Sequence, residues 1–153
     1  MVPDGRQAWH GIYAATLTPL TPDFAVDEAA LAGHVSRVAE VAGMVGVMCN
    51  GHAGENHLLT REEKRRVTGI VVEAIGTRSI VVCGINAESS LEAAFHARDA
   101  EAAGADAVMV FAPNSWALGQ DDAMAVRHHR IVHEATRLPL MLFQAAVGAG
   151  RMA

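Results

Sequence analysis

Residues 50–56 of the sequence, Asn-Gly-His-Ala-Gly-Glu-Asn, join an apolar run at Met44–Cys49 to a helix start at Thr60. A short apolar run without polar alternation is typical of a buried parallel strand. Gly51 and Gly54 allow a sharp turn after it, because glycine adopts a positive φ without steric cost. Glycines also leave backbone N–H groups uncovered, and such groups can bind an anion such as a carboxylate. An ordinary strand-to-helix turn explains the pattern equally well, since glycine-rich turns are common.

The strand–loop–helix unit recurs on both sides of this stretch. Apolar runs alternate with amphipathic segments, each of which starts at a residue type that caps helices. We predict strands at 11–18, 44–49, 80–83, 107–112 and 138–143, with helices that begin near Asp27, Thr60, Ser89 and Gln120.

Two of these helices begin with the spacing of a capping box, in which an N-cap Ser or Thr and a Glu three residues later bond to each other's backbone. The pairs are Thr60 with Glu63 and Ser89 with Glu92. The apolar side of the third helix is predicted to contain Leu91, Phe95 and Ala102.

The loops that follow strands are longer and chemically more varied than the loops that follow helices. Thr18–Val26 and Asn50–Leu59 contrast with Ala42-Gly43 and Gly104–Asp106. This asymmetry fits a (β/α) barrel, whose functional site lies at the carboxyl ends of its strands. A doubly wound open sheet is the alternative and places its site at the same edge. We predict an α/β fold, a partial (β/α)8 TIM barrel of about five strands and four helices.

Composition restricts the classes of partner. A chain of 153 residues with 51% hydrophobic residues predicts a single domain with a buried core. The net charge of −5, without a basic cluster longer than Lys64–Arg66, argues against nucleic acid. No apolar run approaches the roughly 20 residues that span a bilayer, and the polar start Met1–Arg6 does not resemble a secretion signal. Cys49 and Cys83 lie in apolar runs, so we expect reduced core thiols and a cytoplasmic location.

The histidines suggest a metal site only weakly. His129 and His133 are four residues apart on one side of a predicted helix. We expect this side to face outward with His128 alongside, so solvated histidines are the preferred interpretation. His96 and Arg98 are likewise predicted on the outer surface of the third helix. We therefore predict no metal and no cofactor.

Five motifs occur in the order of one known family. They are Thr18-Pro19 after the first strand, Gly51–Glu55 after the second, the helix start Leu59–Glu63, the segment Gly104–Ala107 that leads into an apolar strand and Pro113, and the strand Leu138–Phe143. Together they resemble the dihydrodipicolinate synthase and N-acetylneuraminate lyase family. The resemblance covers residues 9–144 of a single, incomplete barrel domain, and residues 145–153 form a divergent tail.

The resemblance implies a class I aldolase-type TIM barrel. Such a lyase or synthase forms or cleaves a C–C bond of a small 2-keto acid such as pyruvate, through a lysine Schiff base and without a cofactor. The family is commonly homo-oligomeric. By the same resemblance, the substrate-binding residues are Thr18, Gly51, His52, Ala53, Gly54, Asn114 and Ser115.

The sequence departs from the family at chemically important positions. His52 stands where a Ser or Thr hydroxyl helps to hold the substrate carboxylate, and Phe143 stands where the family has its catalytic tyrosine. An aromatic pair is replaced by Asn114-Ser115. The Schiff-base lysine belongs to a sixth strand, and the only lysine here is Lys64, which we expect to be solvated and far from a strand end. Imine formation needs a buried amine with a lowered pKa.

These departures lead us to expect a truncated or frameshifted fragment that has no Schiff-base activity alone. The alternative is a non-catalytic fragment or a small-carboxylate-binding protein. A phosphate-binding flavin or sugar-phosphate barrel is a weaker alternative, because the usual phosphate loops follow the last strands of such barrels.

Overall fold

Five parallel strands form one sheet in chain order in the computed structural model, which describes residues 9–144. An amphipathic helix connects each strand to the next. The predicted tail, residues 145–153, lies outside the described residues. The strands are β1 (Ile12–Ala15), β2 (Met44–Cys49), β3 (Ile80–Ile85), β4 (Ala107–Val110) and β5 (Leu140–Leu142), and the helices are α1 (Glu28–Ala39), α2 (Arg61–Ile75), α3 (Ser90–Ala102) and α4 (Asp122–Ala135).

The strand order decides between the two predicted architectures. A doubly wound sheet reverses its strand order at a switch point, whereas successive units of a barrel add strands in one direction. The described strands follow the order β1-β2-β3-β4-β5 without a reversal. The prediction of consecutive (β/α) barrel units is therefore confirmed.

The core lies between the sheet and the helices. Val47 and Cys49 of β2 and Val81 and Cys83 of β3 are buried in it, because every second strand residue points toward the helices. Full burial of one valine side chain contributes about 1.5–3 kcal/mol. Cys49 and Cys83 are free, buried and paired in register on neighbouring strands, as predicted.

Helix α2 begins as its sequence predicts. The Thr60 hydroxyl accepts a hydrogen bond from the Glu63 N–H at 3.3 Å, and the Glu63 carboxylate accepts one from the Thr60 N–H at 2.8 Å. The helix then covers the sheet with branched side chains, among them Val67 and Val71. None of the helices between residues 9 and 144 is long and apolar enough to cross a bilayer.

Helix α3 begins where predicted, but two predictions about it are wrong. Ser89 makes no side-chain capping bond, and the Glu92 carboxylate, which a capping box would direct back to Ser89, lies 3.8 Å from His96 Nε2. Leu91 and Phe95 are 67% and 44% exposed instead of buried. The side of α3 that faces the core contains small alanine side chains, which let the helix lie close to the sheet: Ala93, Ala94, Ala97 and Ala100.

Two histidines that were predicted at the surface are buried. His96 of α3 is only 6% exposed, because it lies on the same side of the helix as the alanines. His128 of α4 is 1% exposed and lies against Ser90 and Trp116. Burial of two polar rings is tolerated when the rings stay neutral, and both pKa values are lowered, chiefly by burial.

Candidate functional site

The loops that leave β1 and β2 meet at the carboxyl edge of the sheet. Gly54 lies so close to the loop after β1 that an added β-carbon would be 2.9 Å from the Thr18 hydroxyl oxygen. The loop after β1 is held to β2 by Thr16, whose hydroxyl donates to the Met48 carbonyl at 3.1 Å. The structure thus brings together Thr18 and the 51–54 turn, which are among the residues predicted to bind substrate.

The 51–54 turn is a short 3-10 helix closed by its own backbone. The Gly54 N–H donates to the Gly51 carbonyl at 3.0 Å. The residues in the left-handed region are Asn50, with φ of 52°, and Glu55, with φ of 54°, whereas Gly51 has φ of −85°. The prediction that the glycines supply the positive φ values is therefore wrong.

Close packing, instead of an unusual φ, explains both glycines. A β-carbon on Gly51 would lie 2.7 Å from the terminal methyl of Met48, and one on Gly54 would meet Thr18. A side chain at Gly54 would push the turn away from the strands, because the Thr16 backbone carbonyl also lies 3.1 Å away, whereas at Gly51 the flexible Met48 side chain could move aside. Glycine therefore sets how close the turn comes to the sheet edge.

Asn50 fixes the turn to its surroundings. Its side-chain amide donates to the Lys64 carbonyl at 2.9 Å and to the Thr68 hydroxyl at 3.0 Å, and its carbonyl accepts from the Asn56 amide at 2.8 Å. Asparagine is among the residues that adopt left-handed backbone angles most readily. The backbone carbonyl oxygen of Asn50 would lie only 2.1 Å from a β-carbon added to Gly84, so a side chain there would displace Asn50. These contacts pre-organise the turn.

An aromatic cluster, here called the ring cluster, joins the ends of three strands. His52 stacks on Phe111 with ring centroids 4.3 Å apart, Phe111 lies 4.6 Å from Phe143, and His52 meets Phe143 edge-on at 5.9 Å. Val110 points into the helix-covered core, so its neighbour Phe111 points to the opposite face. Sequence reasoning missed Phe111, although an aromatic residue that directly follows a buried strand is a usable signal.

The cluster changes the chemistry of His52. Burial against the rings, and then the charge of His57, lower the pKa of His52 below its ordinary value of 6.5. The imidazole is therefore mostly neutral at pH 7 and can donate one hydrogen bond. Phe143 lies at the predicted position at the end of β5, where it contributes a ring without a hydroxyl.

Asn114 and Ser115 begin a 3-10 helix after β4, and both are exposed. Their backbone N–H groups donate to the two carboxylate oxygens of Glu88 at 2.9 and 3.0 Å. A hydrogen bond from the Ser115 side chain, followed by these two backbone bonds, lowers the pKa of Glu88. Among the hydrogen bonds and ring contacts of residues 9–144, none joins Asn114 or Ser115 to the 51–54 turn.

Lys64 lies in a different environment from the one predicted. Its ammonium group is half-buried and donates to the carbonyl of Asn86, directly after β3, at 3.3 Å. Burial lowers the pKa of Lys64. The prediction of a solvated lysine far from a strand end is wrong, because α2 directs the side chain along the groove toward α3. Lys64 nevertheless lines the same cleft as Cys83 of the helix-covered core, and we infer that it lies on the opposite face of the sheet from the ring cluster.

The histidines of α4 do not form a metal site in this part of the chain. His133 is exposed as predicted, and His129 is half-buried with Nδ1 2.8 Å from the Ala125 carbonyl. His128 Nδ1 lies 3.0 Å from the Ser90 hydroxyl, and burial lowers its pKa to about 4. Within residues 9–144, no group of three or more His, Cys, Asp or Glu side chains is placed to hold a metal ion.

Comparisons with known proteins agree with the arrangement of the strands and loops. The model of the dihydrodipicolinate synthetase family matches residues 8–151. The chain is 34% identical over 140 residues to 4-hydroxy-tetrahydrodipicolinate synthase of Methanothermobacter thermautotrophicus, covering 92% of this chain and 48% of that protein. It is also 34% identical over 134 residues to a DapA-like lyase of Halobacterium salinarum, covering 88% of this chain and 43% of that protein.

Solved structures show the same fold. N-acetylneuraminate lyase from Mycoplasma synoviae superposes with a TM-score of 0.84 at 22% identity, over 93% of this chain and 48% of that one. YagE of E. coli, a prophage protein solved in complex with pyruvate, superposes with a TM-score of 0.83 at 25% identity, over 91% and 46%. The chain spans about half the length of the relatives it matches.

Proposed function

The chain belongs to the dihydrodipicolinate synthetase family, and from this premise we propose that it supplies the carboxylate-binding side of a lyase or synthase barrel. The substrate would be a small 2-keto acid such as pyruvate, whose C–C bond such an enzyme forms or cleaves. The observation that carries the proposal is the contact of the 51–54 turn with Thr18 at the carboxyl edge of the sheet, beside the ring cluster.

The carboxylate would bind to N–H groups at the start of the turn. The first N–H groups of a helical turn have no acceptor within that turn, and here they belong to His52 and Ala53. The Gly54 N–H is used by Gly51, so it is not part of the proposed donor set. The Thr18 hydroxyl lies beside Gly54 and can add a further donor.

Two observations support pyruvate as the model ligand. YagE, a protein with the same fold, was solved with pyruvate. The ring cluster also offers an apolar surface next to the proposed carboxylate donors, which suits a ligand with one charged and one methyl end. We further propose that this chain forms no imine with pyruvate by itself, because Lys64 lies across the sheet from the ring cluster.

Amide NMR of the labelled chain tests carboxylate binding. Pyruvate should shift the signals of residues 51–54 and Thr18, whereas pyruvamide, in which an amide replaces the carboxylate, should shift them much less. His52→Thr restores a hydroxyl at this position and should strengthen pyruvate binding, while His57→Thr serves as the matched control. If pyruvate leaves the turn signals of the folded chain unchanged, the proposal is wrong.

Borohydride reduction tests the absence of an imine separately. After incubation with pyruvate and borohydride, mass spectrometry should find the chain unmodified. A stoichiometric pyruvyl adduct that disappears in Lys64→Ala would contradict the assignment of Lys64 to the far side of the sheet. The lowered pKa of Lys64 makes this a demanding test, since a deprotonated amine is the reactive form.

A non-catalytic carboxylate-binding protein is the second candidate function. It is favoured by Phe143, which packs on Phe111 and has no hydroxyl to transfer a proton. Strong pyruvate binding without turnover in the full protein would favour it over a lyase. The family resemblance also predicts a homo-oligomer and a cytoplasmic location, which light scattering and cell fractionation would check.

A further inference from the structure

A second group of reactive side chains lies on the helix-covered face, away from the proposed carboxylate site. Cys49 of β2 and Cys83 of β3 are direct partners in the parallel register, and both are buried free thiols. Adjacent strands lie about 4.8 Å apart, which is within the range of Cα separations that a disulfide spans. The Cys49 thiol lies 3.8 Å from the Val82 carbonyl oxygen, and the Cys83 thiol lies 3.7 Å from the Gly84 carbonyl oxygen.

Polar groups surround one of the two sulfurs. The Asn50 amide nitrogen lies 3.5 Å from Cys83 Sγ, and the Thr68 hydroxyl oxygen lies 3.3 Å from it. The ammonium group of Lys64 adds a nearby positive charge. We call these five residues, Cys49, Cys83, Asn50, Thr68 and Lys64, the thiol cluster.

The cluster favours ionisation of Cys83 over Cys49. The adjacent Cys49 thiol, the Thr68 hydroxyl, the Asn50 amide and the charge of Lys64 lower the pKa of Cys83. The proximity of the Cys83 thiol, together with burial, raises the pKa of Cys49. Cys83 is therefore the more nucleophilic sulfur, because the thiolate is the reactive form.

A small cleft between α2 and α3 leads to this sulfur. Cys83, Lys64, Arg61 and His96 are among its lining residues, and its volume of about 10 Å³ is close to that of one water-sized molecule. His96 is buried, and its two ring nitrogens have no hydrogen-bond partner among the described residues. The cleft therefore offers unused polar contacts to one small polar molecule and excludes larger reagents.

We propose that Cys83 and Cys49 form a peroxide-sensitive pair, in which hydrogen peroxide enters this cleft, oxidises Cys83, and Cys49 then closes a disulfide between β2 and β3. In the first step the Cys83 thiolate attacks one peroxide oxygen, an S–O bond forms, and the O–O bond breaks. The sulfur is oxidised to a sulfenic acid, and the peroxide is reduced to hydroxide, which takes up a proton to give water.

The second step forms the disulfide. The Cys49 sulfur attacks the sulfenic sulfur of Cys83, an S–S bond forms, and the S–O bond breaks. The departing hydroxide takes the thiol proton of Cys49 and leaves as water. Direct strand partners have β-carbons farther apart than a relaxed disulfide prefers, so the bond should be strained and easily reduced by a small dithiol.

Peptide mapping of the intact, folded chain after peroxide treatment tests the pair. We expect a cross-linked peptide containing Cys49 and Cys83, lighter by two hydrogens than the sum of its parts. Cys49→Ser should stop at a sulfenic acid on Cys83, seen as the mass gain of one oxygen and trapped by dimedone only when denaturant is added with it, whereas Cys83→Ser should leave Cys49 unoxidised. Trapping on Cys49 in preference to Cys83 would overturn the assignment of the nucleophile.

The rate at which peroxide oxidises Cys83 tests the role of Lys64. Lys64→Met should slow oxidation about tenfold, the change expected if the pKa of Cys83 rises by about one unit, and Lys64→Arg should restore the rate. Circular dichroism confirms that each variant is folded. An unchanged rate in Lys64→Met would contradict the proposal.

Reagent size separates reaction in the cleft from reaction of unfolded chains. Ellman's reagent is too large for the cleft and should leave the thiols of the folded chain unlabelled while peroxide oxidises them. If the large reagent labels both thiols as fast as peroxide does, or if peroxide oxidises glutathione in the same tube but not Cys83, the proposal is overturned.

Discussion

The β2–α2 and β3–α3 units occupy neighbouring positions in the sheet but are stabilised in different ways. Helix α2 starts with a closed capping box and covers the sheet with valines and isoleucines. Helix α3 has an N-cap without a side-chain bond and covers the sheet with alanines and one histidine. Local sequence signals identify both the start and the apolar side of α2, whereas they identify only the start of α3.

Those neighbours hold α3 through its polar outer side. The guanidinium group of Arg61, from α2, binds the Asp99 carboxylate at 2.5 and 2.9 Å and lies over the Phe95 ring at 5.1 Å. At the other end of α3, Glu101 accepts hydrogen bonds from Thr136 and Arg137. A helix with a weak start and a small apolar side can thus be positioned by contacts that sequence periodicity does not report.

The largest predicted effect concerns the alanine side of α3. Ala97 is fully buried, so Ala97→Leu should force the helix away from the sheet and lower the free energy of unfolding by about 1–3 kcal/mol. Leu91→Ala, on the exposed side of the same helix, should change it by less than about 0.5 kcal/mol. Urea denaturation measures both, and a larger loss for Leu91→Ala would contradict the assignment of the two sides.

The next largest effect is a change in the free energy of unfolding with pH, which arises where α4 packs against α3. The pKa of His128 is lowered from 6.5 to about 4 in the folded chain, so the unfolded chain binds the proton more tightly. The stability associated with neutral His128 is complete above pH 6.5 and is lost as the pH falls toward 4. The loss should amount to about 1–2 kcal/mol.

A matched pair of variants isolates this contribution. His128→Asn should flatten the fall in unfolding free energy between pH 6.5 and 4, whereas His57→Asn, at an exposed loop position, should leave the fall unchanged. Wild type and the two variants contain the same carboxylates, so the contribution of the carboxylates to the pH dependence cancels when the profiles are compared. An identical pH profile for wild type and His128→Asn would show that this ring is not the titrating group.

Much of the fold could be predicted from the sequence because its signals are local. Short apolar runs, capping residues and helical periodicity correctly predicted five strands, four helices and their parallel order. The prediction failed on α3 because bulky residues were given more weight than alanines. Ala93, Ala97 and Ala100 are also spaced as one side of a helix, and they mark the side where space is scarce.

The candidate site was less predictable because it depends on contacts between loops. The sequence identified the turn at 51–54 but assigned the glycines the wrong physical role, since close approach to Thr18 and Met48 depends on the fold. The partial burial of Lys64 depends on the groove between α2 and α3. The spacing of residues within one helix does not predict a groove that forms between two helices.

The smallest effects provide the most direct test of the comparison between α2 and α3. Thr60→Ala removes the hydroxyl that accepts from the Glu63 N–H, so it should lower the free energy of unfolding by about 1 kcal/mol. Ser89→Ala removes a side chain that makes no capping bond, so its effect should be no more than a few tenths of a kcal/mol. Amide hydrogen exchange should show faster exchange in the first turn of α2 for Thr60→Ala and no change in α3 for Ser89→Ala. An equal loss of unfolding free energy for the two substitutions would mean that Ser89 caps α3 in solution. The proposed difference between the starts of α2 and α3 would then be wrong.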